Sequence, residues 1–173
     1  MQKKGLLIVF TGNGKGKTTA AIGQALRMAG HKMRVCIIQF IKSKKNTGEA
    51  KALAALSETV EMHTIGSGFT WQSEESEVTA AARSGWELAQ KKINSNDYDM
   101  VILDEITYLL NDGILDQDEI LGFLNNRPEN LHIVVTGRQA SDALIEAADL
   151  VTEMKEIKHP YQNGITAGKG IEY

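Results

Sequence analysis

The chain has 173 residues, a formal net charge of −3, a hydrophobic share of 42% and a charged share of 24%. That length suits one domain over residues 1–173 with a single core, the balance is that of an ordinary globular protein, and the negative charge argues against a basic nucleic-acid face. No apolar run is long enough to span a bilayer, and Met1-Gln-Lys-Lys leads into only a short apolar stretch, so neither a membrane span nor a signal peptide is expected and the chain reads as cytoplasmic.

The first predicted strand, Leu6–Phe10, runs into "TGNGKGKT" and then a helical pattern, Lys17–Ala29, followed by Gly30 as an expected C′ glycine. A Walker A loop reads G-x-x-x-x-G-K-[ST], and Gly16-Lys17-Thr18 supplies its end. The first glycine position holds Thr11, with Gly12 one place late. A strand before and a helix after give the context that the motif requires. Gly12, Gly14 and Gly16 would let backbone N–H groups turn inward toward anionic oxygens, and the helix N-terminus adds partial positive charge. The phosphate-binding stretch is therefore Gly12, Asn13, Gly14, Lys15, Gly16, Lys17, Thr18 and Thr19, with Lys17 on terminal phosphates and the Thr18 hydroxyl on Mg²⁺.

The second strand, Val35–Phe40, contains the single Cys36, whose apolar neighbours predict a packed thiol and not a nucleophile. After it, "IKSKKNTGE" carries Lys42, Lys44 and Lys45, read first as a solvated face and second as a steering patch for an anion. A short helix is predicted over Glu49–Leu56 and a third strand over Val60–Ile65. The segment "GSGFTWQ" then sets Phe69 and Trp71 among glycines. Two rings there either plug the core beneath the loop or form a lid against a large flat ligand.

A long helix is predicted over Glu74–Ile93, with Ser73 as N-cap and acids in the first turn. The fourth strand, Met100–Leu103, ends in Asp104-Glu105, which resembles a Walker B element. Beside a phosphate loop, one carboxylate holds the metal and the other orients a substrate or activates water. Spacing does not settle which of the two touches the metal; Glu105 is favoured as the ligand with Thr18, and Asp104 behind it. Asp116-Gln-Asp-Glu119 resembles a capping box opening a helix to about Asn125. The fifth strand, His132–Thr136, leads to Arg138, which either clamps a phosphate or pairs with a surface carboxylate. Ser141 opens a helix to about Ala148, a less apolar strand follows at Leu150–Ile157, and the tail "YQNGITAGKGIEY" either adds an edge hairpin or wraps the surface. His31, His63 and His132 have no partners at metal-ligand spacing and receive no role; His159 in "KHPY" is a weak candidate.

Alternating strands and helices predict an α/β fold, a mostly parallel sheet with helices on both faces. Ligands of such sheets bind beyond the carboxyl ends of the strands, where nearly all the chemically capable residues fall. The residues alone give a Mg²⁺-dependent nucleotide-binding domain with an aromatic loop, and spacing does not say which bond of the nucleotide breaks.

Together, "FTGNGKGKTTAA", "QFIK…NTGE", "GFTWQ", "VILDEITY", "VTGR" and "EIKHPYQNGI…GIEY" resemble the P-loop corrinoid adenosyltransferases of coenzyme B12 synthesis, from Leu6 to Tyr173. The resemblance implies a RecA-like fold, a homodimer, and transfer of the 5′-deoxyadenosyl group of ATP to Co(I) of a reduced corrinoid, with triphosphate leaving. It implies that ATP lies reversed in the loop, that Lys17, Glu105 and Arg138 serve catalysis, and that Phe69 and Trp71 displace the lower axial ligand of cob(II)alamin before a flavoprotein or similar donor reduces it. Many members carry an amino-terminal extension that helps cover the nucleotide; here only Met1-Gln-Lys-Lys-Gly precedes the first strand, which leaves that task to the tail or a partner subunit. The competing readings are a P-loop ATPase or phosphotransferase of other specificity, and a non-catalytic, ATP-gated corrinoid-binding protein.

Overall fold

The computed structural model describes residues 4–42, 47–66 and 75–172. Six strands form one sheet: β1 (Leu7–Thr11), β2 (Val35–Gln39), β3 (Val60–Thr64), β4 (Met100–Asp104), β5 (His132–Thr136) and β6 (Leu150–Glu153), in the spatial order β3-β2-β4-β5-β1-β6. Every pairing is parallel. β2 and β4 are buried at every position, as continuous apolar strands in a sheet covered on both faces must be.

Alternate side chains of each strand serve opposite layers. Leu7, Val9, Ile38, Leu103 and Val135 pack with Trp86 and Ile93 of α3 (Glu75–Asn94), with α4 (Ile106–Asn111) and with α5 (Gln117–Asn125). Ile8, Ile37, Ile102 and Val134 pack with Ala21, Ala25 and Met28 of α1 (Lys17–Gly30), and with Leu53 of α2 (Gly48–Ala54). Cys36 lies in the first layer with its side chain fully buried, as its strand predicted. A sixth helix, α6 (Asp142–Ala147), opens where Ser141 accepts a hydrogen bond from Leu144 N, and Asp116 caps α5 by accepting from Glu119 N.

Some local features differ from the sequence reading. Gly30 remains helical, and the left-handed turn falls on Lys32 (φ 58°). There Met33 N donates to Met28 O at 3.1 Å and Lys32 N to Ala29 O at 2.9 Å, a Schellman closure with lysine in glycine's place. α4 is an added helix. Its N-cap is Glu105 in the left-handed region (φ 66°) with no side-chain cap bond, so none of the usual start signals marks it. β6 stops at Glu153, short of Ile157, and is exposed at all its positions, as an edge strand can be. Among the described residues the tail forms no edge hairpin. It makes a 3₁₀ turn at Pro160–Asn163 and then runs as turns to the carboxyl edge of the sheet.

Candidate active site

The carboxyl ends of β1, β2, β4 and β5 meet around a cleft of about 510 Å³. Its floor is the loop between β1 and α1. Gly12 (φ 96°) and Gly16 (φ 116°) take left-handed conformations that other residues adopt only under strain. A Cβ at Gly12 or Gly14 would also lie 2.5 or 2.7 Å from Met154 O, so the chain leaving β6 sits directly against the loop. One expectation is corrected here. The Gly14 N–H does not face the cleft but donates to Met154 O at 2.6 Å. Thr11, at the first-glycine position, is buried, and its hydroxyl accepts from Ala140 N at 3.0 Å. That bond ties the base of the loop to the connection after β5, and the glycine turn moves one residue on.

Lys17 lines the cleft, and its Nζ donates to Gly12 O at 2.8 Å and Gly14 O at 2.7 Å. Burial, and then Arg138, hold this ammonium below the usual lysine range, while Glu105 pulls the other way. Asn13, Lys15, Gly16, Thr18 and Thr19 line the same cleft.

The two carboxylates after β4 have different surroundings. Asp104 is almost fully buried, and protein donors surround it: Thr18 Oγ1 at 2.9 Å and Thr136 Oγ1 at 2.7 Å on Oδ1, and Gln39 Nε2 at 2.9 Å on Oδ2. Glu105 turns away from it. Its backbone N–H donates to Thr136 Oγ1 at 2.9 Å, and its Oε2 is buried with no hydrogen-bond partner. Burial, and then the neighbouring Asp104, push its carboxyl up to about 7, against the pull of Lys42 and Lys17. An unpartnered carboxylate oxygen and the Thr18 hydroxyl at one cleft wall are oxygen donors of the kind a hard divalent cation takes.

Arg138 stands exposed at the rim, with no carboxylate in ion-pair reach among the described residues. Its carbonyl accepts from Thr107 Oγ1 at 2.8 Å and Asn111 Nδ2 at 3.2 Å. Gly137 before it cannot carry a Cβ, which would lie 1.9 Å from Thr107 Oγ1. His159 lines the cleft, with its Nδ1 accepting from Tyr161 N. Phe69, Trp71, Lys44 and Lys45 lie outside the described residues.

Other residues in the cleft or buried behind it carried no sequence signal strong enough to assign them. Gln39 and Thr136 are polar ends of apolar strands, a cue of some value in retrospect. Lys42, read as part of a solvated face, is half-buried in the cleft, 3.3 Å from Glu49. Glu172 in the tail lies 3.6 Å from Lys15 and accepts from Gly168 N at 2.6 Å, so the tail reaches the loop. Away from the cleft, His63 does acquire neighbours. Its Nε2 lies 2.7 Å from Glu61, and both are near Cys36 on the adjacent strand. Lys92 sits on both Glu61 oxygens at 2.8 and 3.0 Å, and burial pushes the Cys36 thiol up to about 12, so the resident cation there is a lysine.

Residues 3–173 match the family model described as ATP:corrinoid adenosyltransferase BtuR/CobO/CobP. The chain is 41% identical to a corrinoid adenosyltransferase of Pseudomonas aeruginosa, over 99% of this chain and 85% of that protein. It is 39% identical to the corrinoid adenosyltransferase CobA of Salmonella typhimurium, over 99% and 87%. In fold it is similar to the flagellar accessory protein FlaH from Methanocaldococcus jannaschii (TM-score 0.58, 12% identity, 87% of this chain and 71% of that one). The RadB recombinase is a second such structure (TM-score 0.53, 16% identity, 91% and 78%). The sheet and these neighbours make the fold a RecA-like P-loop fold. Among the described residues no helix is long and apolar enough to cross a membrane.

Proposed function

The chain belongs to the ATP:corrinoid adenosyltransferase family and is a transferase, and from that premise we propose that it moves the 5′-deoxyadenosyl group of ATP onto Co(I) of a reduced corrinoid and releases triphosphate. The observation that carries the reading is the convergence of Lys17, Thr18 and the unpartnered Glu105 carboxylate on one cleft. The reduced corrinoid is the nucleophile. Its cobalt electron pair forms a bond to C5′, the C5′–O bond breaks, and its electrons leave on the triphosphate oxygen. No general base is needed. The protein has to align the reactants, exclude water and stabilise the charge on the leaving group.

Lys17 and the remaining loop amides would face that charge, and Arg138 at the rim would clamp it. Thr18 and Glu105 would hold Mg²⁺, which when bound screens the phosphate charge. Asp104 would act through the Thr18 hydroxyl, orienting it, since its own oxygens are taken by Thr18, Thr136 and Gln39. We further read the chain as one cytoplasmic domain, working as a homodimer with a flavoprotein or similar electron donor and with the tail helping to cover the nucleotide.

The test is ATP, Mg²⁺ and chemically reduced cob(I)alamin incubated with the protein. The expected products are a light-sensitive Co–C bond in the visible spectrum and inorganic triphosphate. One observation favours a rival: a Glu105 carboxyl near 7 could take a proton from water or a substrate hydroxyl. ADP as product would support that ATPase or phosphotransferase reading. ATP recovered intact beside bound corrinoid would support a binding switch.

Phe69 and Trp71 are assigned to displacing the cobalt's lower ligand, because a four-coordinate Co(II) accepts an electron more easily. The double change to Ala is expected to leave a folded protein that binds MgATP. It should fail with cob(II)alamin and a flavoprotein and keep much of its activity with pre-reduced cob(I)alamin. Core rings would behave differently, with losses of roughly 3–5 kcal/mol each and a collapsed thermal melt. Equal loss in both assays with an unchanged melt would reduce the pair to general corrinoid contacts.

A further inference from the structure

We propose that Lys42 is a second lysine on the polyphosphate, held by Glu49 until the ligand arrives. The inference rests on the ATP-dependent reading of the same cleft. β2 pairs with β4 in register, Gln39 beside Asp104, so the chain leaving β2 must pass the acidic end of β4. Lys42 Nζ lies there, 3.3 Å from Glu49 Oε1 and 3.9 Å from Asp104 Oδ2, and Asp104 Oδ1 in turn receives the Thr18 hydroxyl at 2.9 Å. The ammonium therefore lies by the second oxygen of the carboxylate that receives Thr18, one of the two residues proposed to hold the metal.

The partners of Lys42 show that its present pairing is replaceable. Asp104 already has protein donors on both oxygens and does not need a lysine beyond hydrogen-bond range. Glu49 is the group Lys42 bonds. Although burial pushes Glu49 upward, its own backbone hydrogen bond and Lys42 hold it below the usual carboxylate range, so the group that Lys42 bonds is a carboxylate anion. The lysine side chain is only 26% exposed, which makes its charge count for more than at an open surface. The cleft as a whole sets Lys15, Lys17, Lys42 and Arg138 against Glu49, Asp104, Glu105 and Glu172. Among the described residues Lys17 and Arg138 hold no carboxylate at rest, whereas Lys42 is paired with Glu49, so Lys42 meets a polyanion only by leaving that carboxylate. A triphosphate carries several negative charges to Glu49's one, and the long flexible lysine stem lets the ammonium follow the stronger partner.

A plain clasp between the end of β2 and α2 would use the same ion pair, so the two partners must be tested separately. The full-length protein is titrated with inorganic triphosphate in the presence of Mg²⁺ by calorimetry, as wild type, Lys42→Met, Lys42→Arg and Glu49→Gln, each with a thermal melt. Lys42→Met is expected to weaken triphosphate binding about tenfold or more, the scale of one charge-assisted phosphate contact, and Lys42→Arg to restore most of it. Glu49→Gln frees the lysine and removes a repelling charge, so it should bind triphosphate at least as tightly as wild type. Triphosphate binding by Lys42→Met within twofold of wild type would overturn the proposal. So would a loss in Glu49→Gln matching that in Lys42→Met, including the case where Lys42→Met does not fold and Glu49→Gln binds poorly. Wild type releasing ADP in place of triphosphate would sink the adenosyl-transfer reading and leave the Lys42 contact standing; wild type that binds no triphosphate would sink both.

Discussion

Glu105→Gln is expected to abolish most of the activity while raising the melting temperature of the ligand-free protein at alkaline pH. The carboxyl is pushed up to about 7 by burial and by Asp104, from an unfolded value near 4.5. A raised folded pKa means that the fold favours the neutral acid. That contribution to stability is fully present below the unfolded value and is lost as pH rises through the folded one. The wild-type protein should therefore lose stability across about pH 4.5 to 7, by up to about 3 kcal/mol at 1.36 kcal/mol per pKa unit. Glutamine is neutral throughout and escapes this loss. The melting difference between variant and wild type should be small at pH 4.5, grow through pH 7 and level off above it, at several degrees for a chain of this size.

Ligand reverses the ranking. MgATP should stabilise wild type strongly at pH 8 through linkage, because the ionised carboxylate then has a cation, and should stabilise the variant much less. Loss of the anionic carboxylate ligand should lower turnover by about 10²-fold or more. A variant whose melt tracks wild type from pH 5 to 8.5, or one that keeps the full MgATP-induced shift, would remove Glu105 from the metal site and return Asp104 to it.

What the sequence revealed depended on whether the signal was local. The inner strands were each visible as short apolar runs, because a buried parallel strand needs no partner to look apolar, whereas the exposed edge strand β6 gave a fainter, less apolar run whose end was misplaced. The phosphate loop was legible for the same reason, since its glycines, Lys17 and Thr18 are fixed within a few residues of one another. The network behind it was not. Asp104, Thr18, Thr136 and Gln39 come from β4, α1, β5 and β2, and their meeting follows from the strand order, which spacing does not encode. Lys42 looked like part of a solvated run until β2 was seen to lie beside β4. The Gly14 amide seemed free for phosphate because its acceptor, Met154, belongs to the far end of the chain. α4 escaped notice because a left-handed Glu105 starts it without a capping side chain. Even so, the acid given to the metal is the one with the unpartnered oxygen, because a strand's last inward residue points to the core and the next one points to the cleft.

Lys17→Ala is expected to lower turnover by about 10²–10³-fold and to weaken ATP binding, with little change in stability. The reason lies in what the ammonium touches at rest. Its bonds go to Gly12 O and Gly14 O, carbonyls beside an open cleft that water can serve once the side chain is gone, so the cost to the fold should stay within about 1 kcal/mol. In the reaction the same ammonium would face oxygens whose negative charge grows as the C5′–O bond breaks, and a fixed charge aimed at developing charge acts on the transition state more than on bound ATP. The variant should therefore lose more in kcat than in ATP affinity, show a thermal melt near that of wild type without ligand, and gain less from MgATP on heating. Binding of the corrinoid itself should persist, since both of the lysine's hydrogen bonds in the resting protein go to the loop. A Lys17→Ala protein with near-normal ATP affinity and turnover would mean that the triphosphate does not occupy this loop, whatever its glycines suggest.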